Sequence, residues 1–93
     1  MSVFLLHRPG DSVGVATEDI AAGSKATGRL RDSSDTVDVT VTDDVPLGHK
    51  IAVKQLAKGD KVIEYGAEIG VATKDIAPGQ HVHVHNLKGQ RWA

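Results

Sequence analysis

A short motif that occurs three times constrains the fold of this chain more than any other feature. Residues 13–23 and 69–79 are identical at eight of eleven aligned positions, and residues 51–59 form a weaker third copy. The apolar residues at the start of each copy predict a strand. The isoleucine or leucine that follows is expected to be buried in the core, and the closing glycine is expected to have a positive φ. The polar segment between them is too short for a stable helix and predicts a turn or a single 3₁₀ turn.

Strands are predicted on both sides of these turns. Four segments have strand character: residues 25–30, 35–42, 60–65 and 80–85. The second alternates with period two, which places Val37, Val39 and Val41 toward the core and the polar residues between them in water. Gly14 and Gly70 hold matching positions in two copies, which predicts bulges or close packing there. Because no window is typical of an amphipathic helix, we expect a mostly β fold, a compact clip or a small barrel.

Composition excludes several classes of protein. The 93 residues predict one domain, residues 1–93, with a net charge of −1, three aromatic residues and no cysteine. Nucleic-acid binders usually carry a basic excess and stacking rings, so no nucleic-acid partner is expected. Disulfide scaffolds, zinc ribbons and thiol nucleophiles all need cysteine. No apolar run approaches the ~18 residues of a membrane span, and the start lacks a signal peptide, so a cytoplasmic protein without a membrane partner is expected.

The segment His-Val-His-Val-His-Asn at residues 81–86 is the strongest local candidate for chemistry. On a strand, His81, His83 and His85 would share one face at a spacing of about 6.5–7 Å, while Val82 and Val84 would pack inward. Three imidazoles on one face can bind a metal, donate to an anion or transfer protons. The alternative is an edge strand with three solvated histidines.

Three weaker signals accompany it. His49 and Lys50 follow a glycine and suit recognition of a carboxylate or sulfonate, or else are solvated turn residues. Tyr65 is either a core aromatic with a solvated hydroxyl or a ligand contact. Trp92 could anchor in a partner or fold back on its own core. Residues 47–93 hold seven basic and four acidic groups, so an anionic ligand, if the chain binds one, is expected in this half. The alternative is an uneven distribution of surface charge without function.

Combined motifs identify a family resemblance over essentially the whole chain. Gly48-His49-Lys50, the segment 62–70 with Tyr65-Gly66 and Ile69-Gly70, and the segment 79–86 resemble the amino-terminal domain of the altronate and galactarate dehydratase family. That domain is of the SAF type, so the resemblance implies a β-clip fold of short strands with single-turn 3₁₀ or helical connections. The start, residues 7–15, and the ending with Arg91-Trp92 are similar to the small subunits of sulfolactate sulfo-lyases.

The resemblance implies a β-elimination from an anionic 2-hydroxy acid, either 3-sulfolactate to pyruvate and sulfite or, in an altronate-type small subunit, loss of water. It implies a large lyase subunit as partner, with iron(II) or another divalent metal held mainly there and no metal ligand in this chain. The chain would then be a lid or substrate-binding subunit. The expected site residues are His83 and His85 for catalysis and His49, Lys50, Tyr65 and Asn86 for substrate binding.

Two other functions remain open on the sequence. A non-catalytic SAF-type module would bind sugars or assist assembly without lyase chemistry. A small histidine-rich protein would bind metal by itself. An adjacent gene for a large lyase subunit would favour the enzyme, and metal analysis would reveal the metal-binding protein.

Overall fold

A computed structural model describes residues 2–31 and 33–89, and within them the chain is built of strands and turns. Nine strands follow in chain order: β1 Ser2–Leu6, β2 Val13–Ala16, β3 Lys25–Leu30, β4 Thr36–Thr40, β5 Lys50–Ala52, β6 Lys61–Glu64, β7 Ala67–Ala72, β8 His81–Val82 and β9 Leu87–Gly89. One sheet has the order β4-β3-β1-β2-β5-β8 and the other β6-β7-β9. The described residues contain no helix, so the predicted mostly β fold is confirmed. Trp92 lies outside the described residues.

The repeated turn occurs four times in the structure. Three copies, at 16–23, 52–59 and 72–79, are those found in the sequence, and residues 41–48 form a fourth. The sequence analysis missed this copy because Val45 replaces the isoleucine or leucine, and Pro46 and Leu47 replace the two residues before the glycine. All four copies end at a glycine of positive φ, between 83° at Gly48 and 93° at Gly79. The predicted role of the closing glycine is therefore confirmed, and the connections are turns.

The four turns associate in two pairs. In the first pair Ile20 and Val45 exchange two backbone hydrogen bonds of 2.9 and 2.8 Å, and in the second Leu56 and Ile76 exchange two of 2.8 and 2.7 Å. These four apolar side chains are all buried, as the motif predicts for Ile20, Leu56 and Ile76. Each closing glycine donates its N–H to the residue that begins the paired turn, as Gly79 does to Ala52 at 2.8 Å. The backbone polar groups of the turns are thus satisfied by their partner turns.

Two hydrophobic clusters form the core. One surrounds Phe4 and contains Ile20 and Val45, and the other contains Leu56 and Ile76, so each pair of turns contributes to its own cluster. A Cβ on Gly14 would lie 2.5 Å from the Phe4 ring. The close packing predicted at this glycine is confirmed, and Gly70 likewise lies against the backbone of β9.

The predicted strand over residues 80–85 is wrong beyond Val82. Residues 83–86 form a turn, and its cause is the buried Asn86: the side-chain oxygen accepts the His83 N–H at 2.9 Å, and the side-chain nitrogen donates to the His81 carbonyl at 2.8 Å. An asparagine that bonds nearby backbone competes with a strand ladder. Val84 is therefore 82% exposed, and its predicted core position is wrong.

The alternation over residues 35–42 is confirmed only in part. Val39 and Val41 are buried, but Val37 is 37% exposed. The reason is that β4 is the edge strand of its sheet and has β3 as its only neighbour in that sheet. Val37 lies opposite Gly28, which offers no side chain to pack against.

Candidate functional site

Three histidines from two neighbouring strands and their turns converge at one edge of the large sheet. Strand β5 pairs with β8 so that Ile51 lies opposite His81. Cross-strand partners share a face, and so do residues two apart on a strand, so His49 lies on the same face as His81. His83 follows in the turn after β8. We call His49, His81 and His83 the histidine cluster.

The nitrogens of the histidine cluster are close enough to share one bound atom. Nδ1 of His49 lies 2.9 Å from Nε2 of His81, and one nitrogen from each ring falls within 4.8 Å of the other two. The ring centroids of His49 and His83 are 4.4 Å apart. The ring centroids of His85 and His81 are 5.2 Å apart, but His85 is not one of the three residues whose nitrogens lie within 4.8 Å of one another.

The backbone that carries the cluster is held by neighbouring side chains. The Asp43 carboxylate accepts the His81 N–H at 3.1 Å, and Asn86 bridges the backbone of His81 and His83. His81 and His49 are half-buried, whereas His83 is exposed. Two of the three imidazoles are thus partly packed against the protein, and the third is open to solvent.

His49 departs from the pattern of the four turns. The residue after each closing glycine is Ser24, His49, Asp60 or Gln80. Three of these side chains close their own turn: Ser24 donates to a carbonyl at 2.6 Å, Asp60 accepts an N–H at 2.8 Å and Gln80 accepts one at 2.6 Å. At the corresponding place His49 faces Pro46, which has no N–H to offer. Its imidazole lies instead against His81, with the two ring nitrogens 2.9 Å apart.

Burial lowers the pKa of His81 below its ordinary value, and repulsion by His85, His49 and His83 acts in the same direction. Asp43 raises this pKa but does not outweigh the other causes. These causes favour the neutral form of His81, in which one ring nitrogen carries a lone pair.

The structure does not bring all the predicted site residues together. Lys50 lies opposite Val82, which is buried in the second hydrophobic cluster, so it starts on the other face of the ladder from His81. Asn86 is buried and uses its amide on the backbone. The substrate-binding roles of Lys50 and Asn86, like those of the histidines, stay predictions.

Tyr65 belongs to a second group that the sequence analysis missed. It is 49% exposed, so it is not a core aromatic, and it occupies the β6–β7 hairpin with a φ of 58°. Its ring stacks on His7 with centroids 3.6 Å apart, and His7 Nε2 lies 3.9 Å from the Glu64 carboxylate. No local pattern links residues so far apart in sequence. The buried carboxylate of Asp11 accepts the N–H groups of Tyr65 and Gly66 at 3.0 Å and fixes this hairpin.

Comparison with known sequences identifies the family. The profile of the altronate/galactarate dehydratase SAF domain matches residues 2–90. The chain belongs to this family. This SAF domain is 42% identical over 90 residues to the (2R)-sulfolactate sulfo-lyase subunit alpha of Chromohalobacter salexigens, which covers 96% of each chain. It is 46% identical over 78 residues to the altronate dehydratase of Escherichia coli, covering 84% of the SAF domain and 14% of that protein.

The family resemblance predicted from the motifs is confirmed. The names of these relatives make the SAF domain a small domain of a lyase family. Another sulfolactate sulfo-lyase subunit alpha, from Paracoccus pantotrophus, is 48% identical over 54 residues, which are 58% of the SAF domain and 81% of that chain. Within the described residues, no helix of the SAF domain has the length and apolar character needed to span a membrane.

Proposed function

We propose that this SAF domain is the small subunit of a two-subunit lyase that acts on (2R)-3-sulfolactate and releases sulfite and pyruvate. The observation that carries this proposal is the alignment with a relative named subunit alpha, 42% identical over 96% of both chains. The aligned residues cover 96% of that subunit, so the SAF domain corresponds to nearly all of it. The word alpha in that name supports a second subunit as partner.

The reaction requires groups of the kind that the histidine cluster offers. A base removes the proton on C2, next to the carboxylate, the bond between C3 and sulfur breaks with its electron pair going to sulfite, and the resulting enol becomes pyruvate. Proton transfer of this kind is carried out most often by histidine. We propose that His83 and His85, both exposed, transfer protons, and that His49 contacts the acid.

The remaining catalytic groups are proposed for the large subunit. A divalent metal, iron(II) or another, would stabilise the negative charge that develops on the carboxylate side of the substrate, and the family resemblance assigns it mainly to the large subunit. The SAF domain would cover the substrate and exclude water.

The test is reconstitution with a large lyase subunit. The chain alone, the large subunit alone and the co-expressed pair are each assayed for sulfite release from (2R)-3-sulfolactate and for loss of water from altronate. We expect turnover of sulfolactate only by the pair. Full turnover by either chain alone would contradict the proposed division of labour.

An altronate-type dehydratase is the second candidate, and the 46% identity to an altronate dehydratase supports it. Elimination of water and of sulfite both begin with removal of the proton next to the carboxylate, so the same domain could serve both. Turnover of altronate and not sulfolactate by the pair would select this candidate. Absence of both activities would leave the non-catalytic binding module.

A further inference from the structure

We propose that His49, His81 and His83 bind one divalent transition-metal ion through three imidazole nitrogens. Such a site deepens the proposed function, because the ion would lie where the SAF domain is proposed to meet its substrate. With the ion bound, His49 and His83 would contact the substrate through it, and direct proton transfer would belong to His85. Its existence does not depend on the lyase reaction.

The nitrogen positions are close to those of a formed site. Nitrogens bound to one zinc ion at about 2.0–2.1 Å lie roughly 3.0–3.4 Å from each other. The His49 and His81 nitrogens are 2.9 Å apart, and the third nitrogen lies within 4.8 Å of both. Binding requires the His83 ring to move closer to the other two, and its side chain is exposed, so no burial holds it in its present place.

The donor type selects the class of metal. Imidazole nitrogen suits zinc, copper, nickel and iron, whereas calcium and magnesium take oxygen ligands. Three histidines with an open fourth position are typical of a catalytic zinc site, in which the open position takes water or substrate. The donor set therefore fits an ion that can also bind a carboxylate or sulfonate oxygen.

The fold holds the ligand-bearing backbone in place before any ion binds. Asp43 accepts the His81 N–H at 3.1 Å, and Asn86 accepts the His83 N–H at 2.9 Å. Pro46 has no N–H to offer to residue 49, whereas in the corresponding turn Ala57 donates its N–H to the Asp60 carboxylate at 2.8 Å. A site whose ligands are held by such supporting contacts loses little entropy on binding.

The test measures binding of Zn²⁺ and Co²⁺ to the full chain, expressed without a histidine tag and stripped with a chelator. Calorimetry with Zn²⁺ and visible absorption of Co²⁺ report binding without substrate or large subunit. We expect one ion per chain, at least a 100-fold loss of affinity in His81→Ala and His49→Ala, and less than a threefold change in the matched control His85→Ala.

Thermal unfolding of each variant separates lost ligands from lost folding. If His81→Ala does not fold, His49→Ala on the turn carries the test. Absence of stoichiometric binding by the wild-type chain, or equal affinity in His49→Ala and wild type, would overturn the proposal. Failure of the lyase assay would not affect this result, so the two proposals are tested separately.

Discussion

The turn that ends at Gly48 and the turn that ends at Gly59 have the same backbone hydrogen bonds but different uses. In the second, Asp60 folds back and accepts a backbone N–H at 2.8 Å. In the first, proline replaces that donor, and His49 turns instead to His81 at 2.9 Å. The two turns share the closing glycine and the paired backbone, and these maintain the fold. The side chain of the residue after the glycine is not needed for the turn, so it can contact another part of the molecule.

The largest expected effect comes from replacing the closing glycine, which the repeated turns share. Gly79 and Gly48 both have positive φ, at 93° and 83°. A Cβ on Gly79 would collide with the Thr40 carbonyl, whereas on Gly48 it would meet no described atom within 4 Å. We expect Gly48→Ala to lower the free energy of unfolding by about 1–2 kcal/mol, the cost of a left-handed residue, and Gly79→Ala to lower it by more.

Urea denaturation of both variants measures the difference. Equal losses would mean that the close approach of Gly79 to β4 is relieved by a small shift, and the argument from the collision would fail.

A smaller effect is expected when one turn is converted into the other. The double variant Pro46→Ala, His49→Asp reproduces the residues Ala57 and Asp60 of the corresponding turn. The new hydrogen bond adds about 0.5–1.5 kcal/mol, and loss of the proline removes about 0.4–1 kcal/mol. We therefore expect the free energy of unfolding to change by less than about 1 kcal/mol, while metal binding is lost.

Chemical denaturation and Zn²⁺ titration of the same preparation check both halves of this expectation. A strongly destabilised double variant would show that His49 has a structural role, and the distinction between the two turns would not hold.

Much of the scaffold could be predicted from sequence because the turns repeat a local pattern. Ile20, Leu56 and Ile76 are buried where the motif placed them, and the glycines adopt the expected φ. The fourth turn was not recognised as a copy of the motif because Val45-Pro46-Leu47 shares few letters with the other copies. What it keeps is a buried apolar residue and a glycine, and these are the physical requirements of the turn.

The sequence indicated which residues belong to the candidate site but not how the fold brings them together. Alternation along a strand placed His81, His83 and His85 together, and the structure does bring His83 and His85 near His81. The reason was wrong, since Asn86 ends the strand and turns Val84 into solvent. The approach of His49 and the stack of His7 on Tyr65 depend on strand pairing over long sequence distances, which no local pattern reports.

We expect the histidine cluster and His85 to serve function and not stability, and His83→Ala separates the two roles. His83 is exposed, so His83→Ala is expected to change the free energy of unfolding by no more than about 0.5 kcal/mol. Val84→Ala, at 82% exposure, is the matched control for stability. Val82→Ala, which removes a buried side chain, should by contrast destabilise the chain by about 1–3 kcal/mol.

The deciding measurement is the turnover of the reconstituted pair with His83→Ala beside its melting temperature. We expect turnover to fall on the order of 10²-fold, the effect of losing a positioned proton-transfer group or ligand, with the melting temperature of the wild type. A variant that melts early, yet retains normal turnover in the fraction that folds, would show that the imidazole is structural and would contradict the account.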